Sequence, residues 1–243
     1  MDLEQQAIAE LRALKLAPKQ IARKLGLKPA EVQAVIKQEA EQAALSRAAT
    51  GELDPVVECL VNADCVRTLL SPKLTVRSSS LVTSNAADDV EESFTGLALV
   101  AVARQRAYNR LAVCTYLVDP WCLGIKDAMG PRQLSLVEYE QLIENAYGSF
   151  SNPATKISLE QAQAIVFSAF EYAASLGFSP HRDFEQARTH LGQWRDETRI
   201  QCGRNGKPFY ISGPYDNPQK IINTLKTSVG EGNFDYLLGM SRE

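Results

Sequence analysis

The sequence lacks the features that mark membrane-spanning and exported proteins. No apolar segment reaches the roughly 18 consecutive residues that a membrane-spanning helix requires, so we expect no membrane association. The N-terminal segment MDLEQQAIAE is acidic and polar, which is unlike a secretory signal. We therefore expect a cytoplasmic protein.

Metal ligands and disulfide-forming residues are also scarce. The five cysteines are odd in number, widely spaced and form no CxxC pair, which argues against a disulfide framework and a zinc ribbon. With only two histidines, a three-histidine metal site cannot be built. The GxSxG, HExxH and P-loop signatures are missing. We expect free, buried cysteines, and we predict no bound metal and no cofactor.

The chain as a whole lacks a strong charge of either sign, since its net charge is −3, but the charge is unevenly distributed. Residues 1–50 contain eight Lys or Arg and six Asp or Glu, a net charge of +2, which leaves −5 for residues 51–243. Between Arg12 and Lys37 there are seven basic residues and a single acid, Glu31. A compact basic segment joined to an acidic body is a reason to look for a nucleic-acid-binding module at that end.

The basic segment contains a helix-turn-helix pattern at residues 18–37, PKQIARKLGLKPAEVQAVIK. Gly26 suits a left-handed turn between two helices, and Ala22 offers the small side chain that two crossing helices require. The apolar residues spaced to pack these helices together are Ile21, Leu25, Leu27, Val32 and Val35. The segment resembles the helix-turn-helix of bacterial transcription factors, including the promoter-reading end of sigma factors.

This resemblance implies that the last helix, from Pro29 to about Glu41, enters the major groove of DNA. By position, the residues predicted to contact DNA are Lys19, Arg23, Lys24, Lys28, Gln33 and Lys37. Gln33 can pair with an adenine edge, and the cations would contact phosphates and make the affinity salt-dependent. The same face carries two alanines and no arginine, so protein docking or a plain solvated surface are the alternative interpretations.

We predict an α+β fold: a small all-α helix-turn-helix domain at residues 1–42, a linker at 43–53 and an α+β domain at 54–243. The α+β domain is predicted to contain antiparallel hairpins and about four helices. The predicted strands are residues 56–61, a hairpin of 96–104 with 110–118, and a hairpin of 199–203 with 207–212 around Asn205-Gly206. The predicted helices are residues 134–146, 158–176, 184–191 and 217–228. For the polar segment 71–92 we expect an excursion or an edge strand with a loop.

Two stretches of the body contain candidate catalytic residues, Asp119, Lys126 and Asp127 in VDPWCLGIKDA and His181 in LGFSPHRDF. Acids at the end of a strand frequently serve metal or acid–base chemistry. The alternative is turn chemistry, in which Asp119 and Pro120 begin a turn. These two stretches, GRNGKPFYISGPYDNP and the tail GEGNFDY resemble an uncharacterised bacterial protein family whose members carry different small modules. That resemblance implies no activity, so it assigns no catalytic residue.

Our leading hypothesis is a transcriptional regulator that binds double-stranded DNA, in which the C-terminal domain binds a small molecule or a protein partner. A homodimer would supply a second helix-turn-helix. The alternatives are a metal-dependent nucleic-acid hydrolase that uses the body's carboxylates, and an adaptor whose basic helices bind an acidic protein. The sequence favours a protein that is not an enzyme.

Overall fold

The structure is a computed structural model that describes residues 3–70, 96–150, 152–196 and 198–239. The predicted excursion at residues 71–92 lies outside these described residues. Its helices are α1 (Leu3–Ala13), α2 (Pro18–Leu25), α3 (Pro29–Thr50), α4 (Ala63–Cys65), α5 (Leu136–Tyr147), α6 (Leu159–Ser175), α7 (Phe184–Arg188) and α8 (Pro218–Ser228). Its strands are β1 (Val56–Asn62), β2 (Ala98–Ala107), β3 (Arg110–Asp119), β4 (Gly124–Ser135), β5 (Ala154–Ile157), β6 (Phe209–Ile211) and β7 (Asp235–Leu237). Within the described ranges, no helix is long and apolar enough to cross a membrane.

Helices α1 to α3 pack around a small apolar core of their own. Pro18 and Pro29 stand at the first positions of α2 and α3, where a helix needs no N–H donor. Gly26 ends α2 in the left-handed conformation, with φ at 70°. The buried residues of this core are Ile8, Ile21, Ala22, Val32 and Ile36, with Leu25, Leu27 and Val35 partly buried against them. The apolar residues that the sequence pattern singled out in α2 and α3 all lie in or against this core.

Helix α3 is longer than the sequence pattern indicates. It continues through residues 43–50 of the predicted linker and ends at Gly51, which has φ at 69°. This stretch contains four alanines, the residue with the highest helix propensity. Leu45, the one large apolar residue of this stretch, is exposed.

Five antiparallel strands form the central sheet, in the order β4-β3-β2-β1-β5. Its centre is the predicted hairpin of β2 and β3, which turns at Tyr108 and Asn109. Strands β4 and β5 have no counterpart in the sequence prediction. Strand β4 covers the residues between the Asp119 turn and the predicted helix, and β5 adds a four-residue edge beside β1.

Both faces of the sheet are covered, as the near-continuous apolar runs of β2 and β3 predict. On one face, Val100 and Tyr116 join the core formed with Ile165 and Val166 of α6. On the other face, Leu111 and Val113 of β3 pack with Tyr139 of α5. The helices predicted at 134–146, 158–176, 184–191 and 217–228 are present as α5, α6, α7 and α8. The mixed α and β composition is therefore confirmed.

The prediction that residues 199–203 pair with 207–212 as a second hairpin is wrong. Asn205 and Gly206 form the expected tight turn, but the antiparallel pairing is limited to the bridge between Arg204 and Lys207. Strand β6 instead pairs in parallel with β7 from the C-terminal tail. The segment 199–203 instead contacts the turn after β3, where the backbone N–H of Gly203 donates to the carbonyl of Pro120 at 2.9 Å.

All five cysteines are free, as predicted. Cys59, Cys65, Cys114 and Cys122 are buried and Cys202 is half-buried. Burial raises the pKa of the Cys59 thiol to about 11, so this thiol is protonated at neutral pH.

Candidate functional site

The six predicted DNA-contacting residues all lie in α2, directly before α3, or in the first half of α3. Lys19, Arg23 and Lys24 are on α2, Lys28 precedes the first residue of α3, and Gln33 and Lys37 are one turn apart on α3. All six side chains are exposed. Val32 and Ile36 of α3 point into the core, so Gln33 and Lys37, which each follow one of them and are exposed, face away from it.

Most of these cations have no acidic partner among the residues that the structure describes. Within the described part of the chain, Lys37 is the member of the set that forms an ion pair, with Glu41 at 3.9 Å. Both partners are exposed, so this contact is weak and leaves Lys37 free to exchange it for a phosphate. The cations of α2 and the start of α3 are therefore accessible to an anionic ligand.

Glu31, the single acid in the basic segment, has a local structural role. Its carboxylate accepts the backbone N–H of Lys28 at 2.9 Å, which caps the start of α3. An acidic group at this position also offsets the positive end of the helix dipole. The carboxylate of Glu31 is thus hydrogen-bonded to the backbone at the start of its own helix.

Tyr108 joins the three-helix unit to the sheet, a role that sequence analysis did not predict. It occupies the tip of the β2–β3 hairpin and packs partly buried against the core that contains Ile21 and Val32. An aromatic residue at a hairpin turn is the sequence signal for such a contact. This side chain therefore provides one contact between the three-helix unit and the sheet.

The candidate catalytic residues of the body divide into two pairs. Lys126 and Asp127 are consecutive in β4, at a point where its pairing register with β3 shifts, and their side chains have different partners. Lys126 lines a cavity of about 80 Å³ together with Asp119. Asp127 instead lies 3.6 Å from Nδ1 of His181. The four side chains do not converge on one point.

The carboxylate of Asp119 stabilises the turn that follows β3 by accepting backbone hydrogen bonds. Its carboxylate accepts the backbone N–H groups of Trp121 at 2.9 Å, Cys122 at 3.0 Å and Leu123 at 3.1 Å. Burial still raises the pKa of this carboxyl to about 6, because desolvation outweighs the three hydrogen bonds and the attraction of Lys126. This is the turn chemistry that the sequence offered as the alternative to a catalytic role.

Lys126 is held by a residue that sequence analysis did not single out. Its Nζ donates to both carboxylate oxygens of Asp216, at 2.9 and 3.1 Å. The same carboxylate accepts the backbone N–H of Gly213 at 2.7 Å and the hydroxyl of Tyr210 at 3.3 Å. Asp216 is 90 residues away in sequence and no local pattern connects it to Lys126.

His181 sits between two exposed carboxylates. Its Nδ1 lies 3.6 Å from a carboxylate oxygen of Asp127 and 3.9 Å from one of Asp183. Across the described residues, no group of three or more His, Cys, Asp or Glu is arranged to hold a metal ion. The arrangement is that of a half-buried histidine at a loop, with two acids near it.

Comparison with known proteins identified no relative of this chain. No protein-family model matches the chain, and no curated protein or solved structure is significantly similar to it.

Proposed function

We propose that this protein binds double-stranded DNA through α2 and α3, and that it acts as a transcriptional regulator whose C-terminal domain binds a small molecule or a protein partner. One observation carries the proposal: a helix pair with a buried apolar seam places five exposed cations and Gln33 on its outer surface. This is the arrangement in which a recognition helix enters the major groove while neighbouring cations contact phosphates.

The distribution of charge supports the same surface. The body carries the chain's negative charge, so it repels DNA, whereas the basic segment attracts it. A single helix-turn-helix reaches few phosphates, and we therefore expect two copies of the chain to contact two half-sites one helical turn apart. Gln33 is the residue with the chemistry to read a base edge, by pairing with adenine.

Duplex binding by the full chain tests the proposal. We would measure fluorescence anisotropy of labelled DNA across a salt series, with the wild type and the variant Arg23→Glu, Lys24→Glu, Lys28→Glu. The expected result is salt-sensitive binding by the wild type and a loss of at least ten-fold in affinity in the variant, because each cation releases counterions from the DNA.

A matched control carries the same change of charge on the body. Arg182, Arg195 and Lys220 are all exposed there, and their replacement by Glu should leave the basic helices intact. Equal losses in the two triple variants would show that net charge alone explains the binding. Absence of wild-type binding at low salt would overturn the proposal.

A further inference from the structure

A second cavity lies where the end of α3 meets the central sheet. It has a volume of about 300 Å³ and lies between the segment that follows α3, strands β2 to β4 and the short helical turn Thr189–Leu191. This volume is at the lower end of those that hold small-molecule ligands. Arg104 and Arg106, which are two residues apart on β2 and therefore share a face, both line it.

Arg104 is a buried cation that contacts no carboxylate of the described residues. Its side chain is 5% exposed, and its guanidinium donates to the backbone carbonyls of His190 at 2.8 Å, Asp54 at 2.7 Å and Leu191 at 3.5 Å. Desolvation lowers its pKa below the ordinary arginine value. The remaining N–H groups of the guanidinium have no partner among the residues the structure describes.

The neighbouring charges leave this region with an excess of positive charge. Arg106 and Arg47 both pair with the carboxylate of Asp54, at 3.3 and 3.0 Å. Among the described residues, Glu52 is the other acid in the cavity wall, and it is exposed. Counting Arg104, three guanidinium groups thus face two carboxylates.

His190 does not add to the positive charge at neutral pH. Burial, together with the charge of Arg104, lowers the pKa of this imidazole to about 4. Its ring nitrogen Nε2 lies 3.2 Å from the carbonyl oxygen of Val102, so the neutral ring is hydrogen-bonded to β2. It therefore forms a neutral wall of the cavity.

We infer that this cavity binds a small oxyanion, a carboxylate or a phosphate group, between Arg104 and Arg106. Guanidinium groups match the geometry of these anions with paired N–H donors, and the match is strongest where water is excluded. An incoming anion restores the charge balance and supplies acceptors for the unused donors of Arg104. Gln133 at the exposed wall provides a further donor. This inference is independent of DNA binding.

The test is isothermal titration calorimetry of the full chain with sodium phosphate and with sodium acetate, against sodium chloride at equal ionic strength. Saturable binding of phosphate alone would indicate a phosphorylated ligand, and saturable binding of acetate alone a carboxylated one. Chloride should give no saturable heat. If neither oxyanion binds saturably, the inference is wrong.

Two variants and two controls locate the site. Arg106→Gln and Gln133→Glu should each weaken binding at least ten-fold, the first by removing a donor and the second by adding a negative charge. Gln133 is exposed, so Gln133→Glu keeps the test valid if Arg106→Gln fails to fold. Arg132→Gln and Gln141→Glu make the same changes at exposed positions outside the cavity and should leave binding unchanged. Equal affinities in variants and controls would overturn the inference.

Discussion

Arg47, in the last turn of α3, donates its Nε–H to Oδ1 of Asp54 at 3.0 Å, across the glycine at which the helix ends. The other oxygen of the same carboxylate lies 3.3 Å from Arg106 of β2. A single buried carboxylate therefore connects the helix that carries the proposed DNA-reading residues to the central sheet. Each carboxylate oxygen of Asp54 contacts a different arginine, Oδ1 with Arg47 and Oδ2 with Arg106.

Replacement of Asp54 by Asn should destabilise the protein. The substitution removes the negative charge between two arginines and leaves them facing each other in a partly buried site. We expect a loss of about 2–4 kcal/mol in the free energy of unfolding, measured by urea denaturation. The control is Asp235→Asn, which breaks an exposed ion pair with Lys207 and should cost less than about 1 kcal/mol. Equal losses would contradict the structural role of Asp54.

Replacement of Ala22 by Leu should disrupt the packing of α2 against α3. Ala22 is buried in the seam, so a larger side chain overpacks it at a cost of about 1–3 kcal/mol. Hydrogen exchange should accelerate at the amides of α2 and α3, and DNA affinity should fall in parallel. Ala9→Leu adds the same volume at an exposed position of α1 and should change neither measurement. Undiminished protection in the Ala22 variant would show that the seam is looser than described.

Replacement of Tyr108 by Ala should loosen the attachment of the three-helix unit to the sheet. The side chain packs against the core of that unit, and its loss removes apolar contact worth about 1–2 kcal/mol. We expect faster proteolytic cleavage near the end of α3, with the circular dichroism of the sheet preserved. Tyr215→Ala, at a fully exposed tyrosine, is the matched control and should be cleaved at the wild-type rate. Indistinguishable rates for the two variants would remove Tyr108 from this role.

Replacement of Asp119 by Asn should change how stability depends on pH. Burial raises the pKa of Asp119 from 3.8 to about 6, so the folded protein binds this proton more tightly than the unfolded chain. The contribution of Asp119 to stability therefore falls as pH rises from about 4 through about 6. Relative to the wild type, the Asn variant should gain about 2–3 kcal/mol between pH 4 and pH 7. The measurement is urea unfolding of both proteins at each pH.

The difference between the two proteins is the informative quantity. His190 has a lowered pKa, so its contribution to stability rises as pH increases over nearly the same range. This opposing effect is present in both proteins and cancels in the difference. A difference that stays constant from pH 4 to pH 7 would show that the Asp119 carboxyl titrates normally.

Local patterns were sufficient for most of the helices and for the central hairpin. Caps such as Ser135 and Ser158 fix where α5 and α6 begin, because each side chain satisfies a backbone N–H of the first turn. Glycine at a left-handed position marks the end of α2. These signals act over a few residues, so they can be recognised without knowledge of the tertiary structure.

Partners that are distant in sequence could not be predicted in this way. The Asn-Gly turn specified a reversal of the chain at residues 205–206, yet the partner of β6 is β7, which arrives after a helix. The pairing of Lys126 with Asp216 likewise follows from how α8 and the segment before it return to the sheet. Strand pairing depends on which backbone groups remain unsatisfied once the core has formed, and local propensity does not contain that information.

The sequence by itself determined the basic helix pair, its apolar seam and the identity of the cations on its surface, because helical periodicity and turn residues are local. Only the tertiary structure decided that Asp119 builds a turn, that Lys126 and Asp127 have different partners, and that Arg104 is buried with no carboxylate of the described residues beside it. The physical reason is that burial and charge pairing are set by residues far apart in the chain. The proposed DNA surface thus derives from local sequence, whereas the proposed oxyanion site exists only in the folded protein.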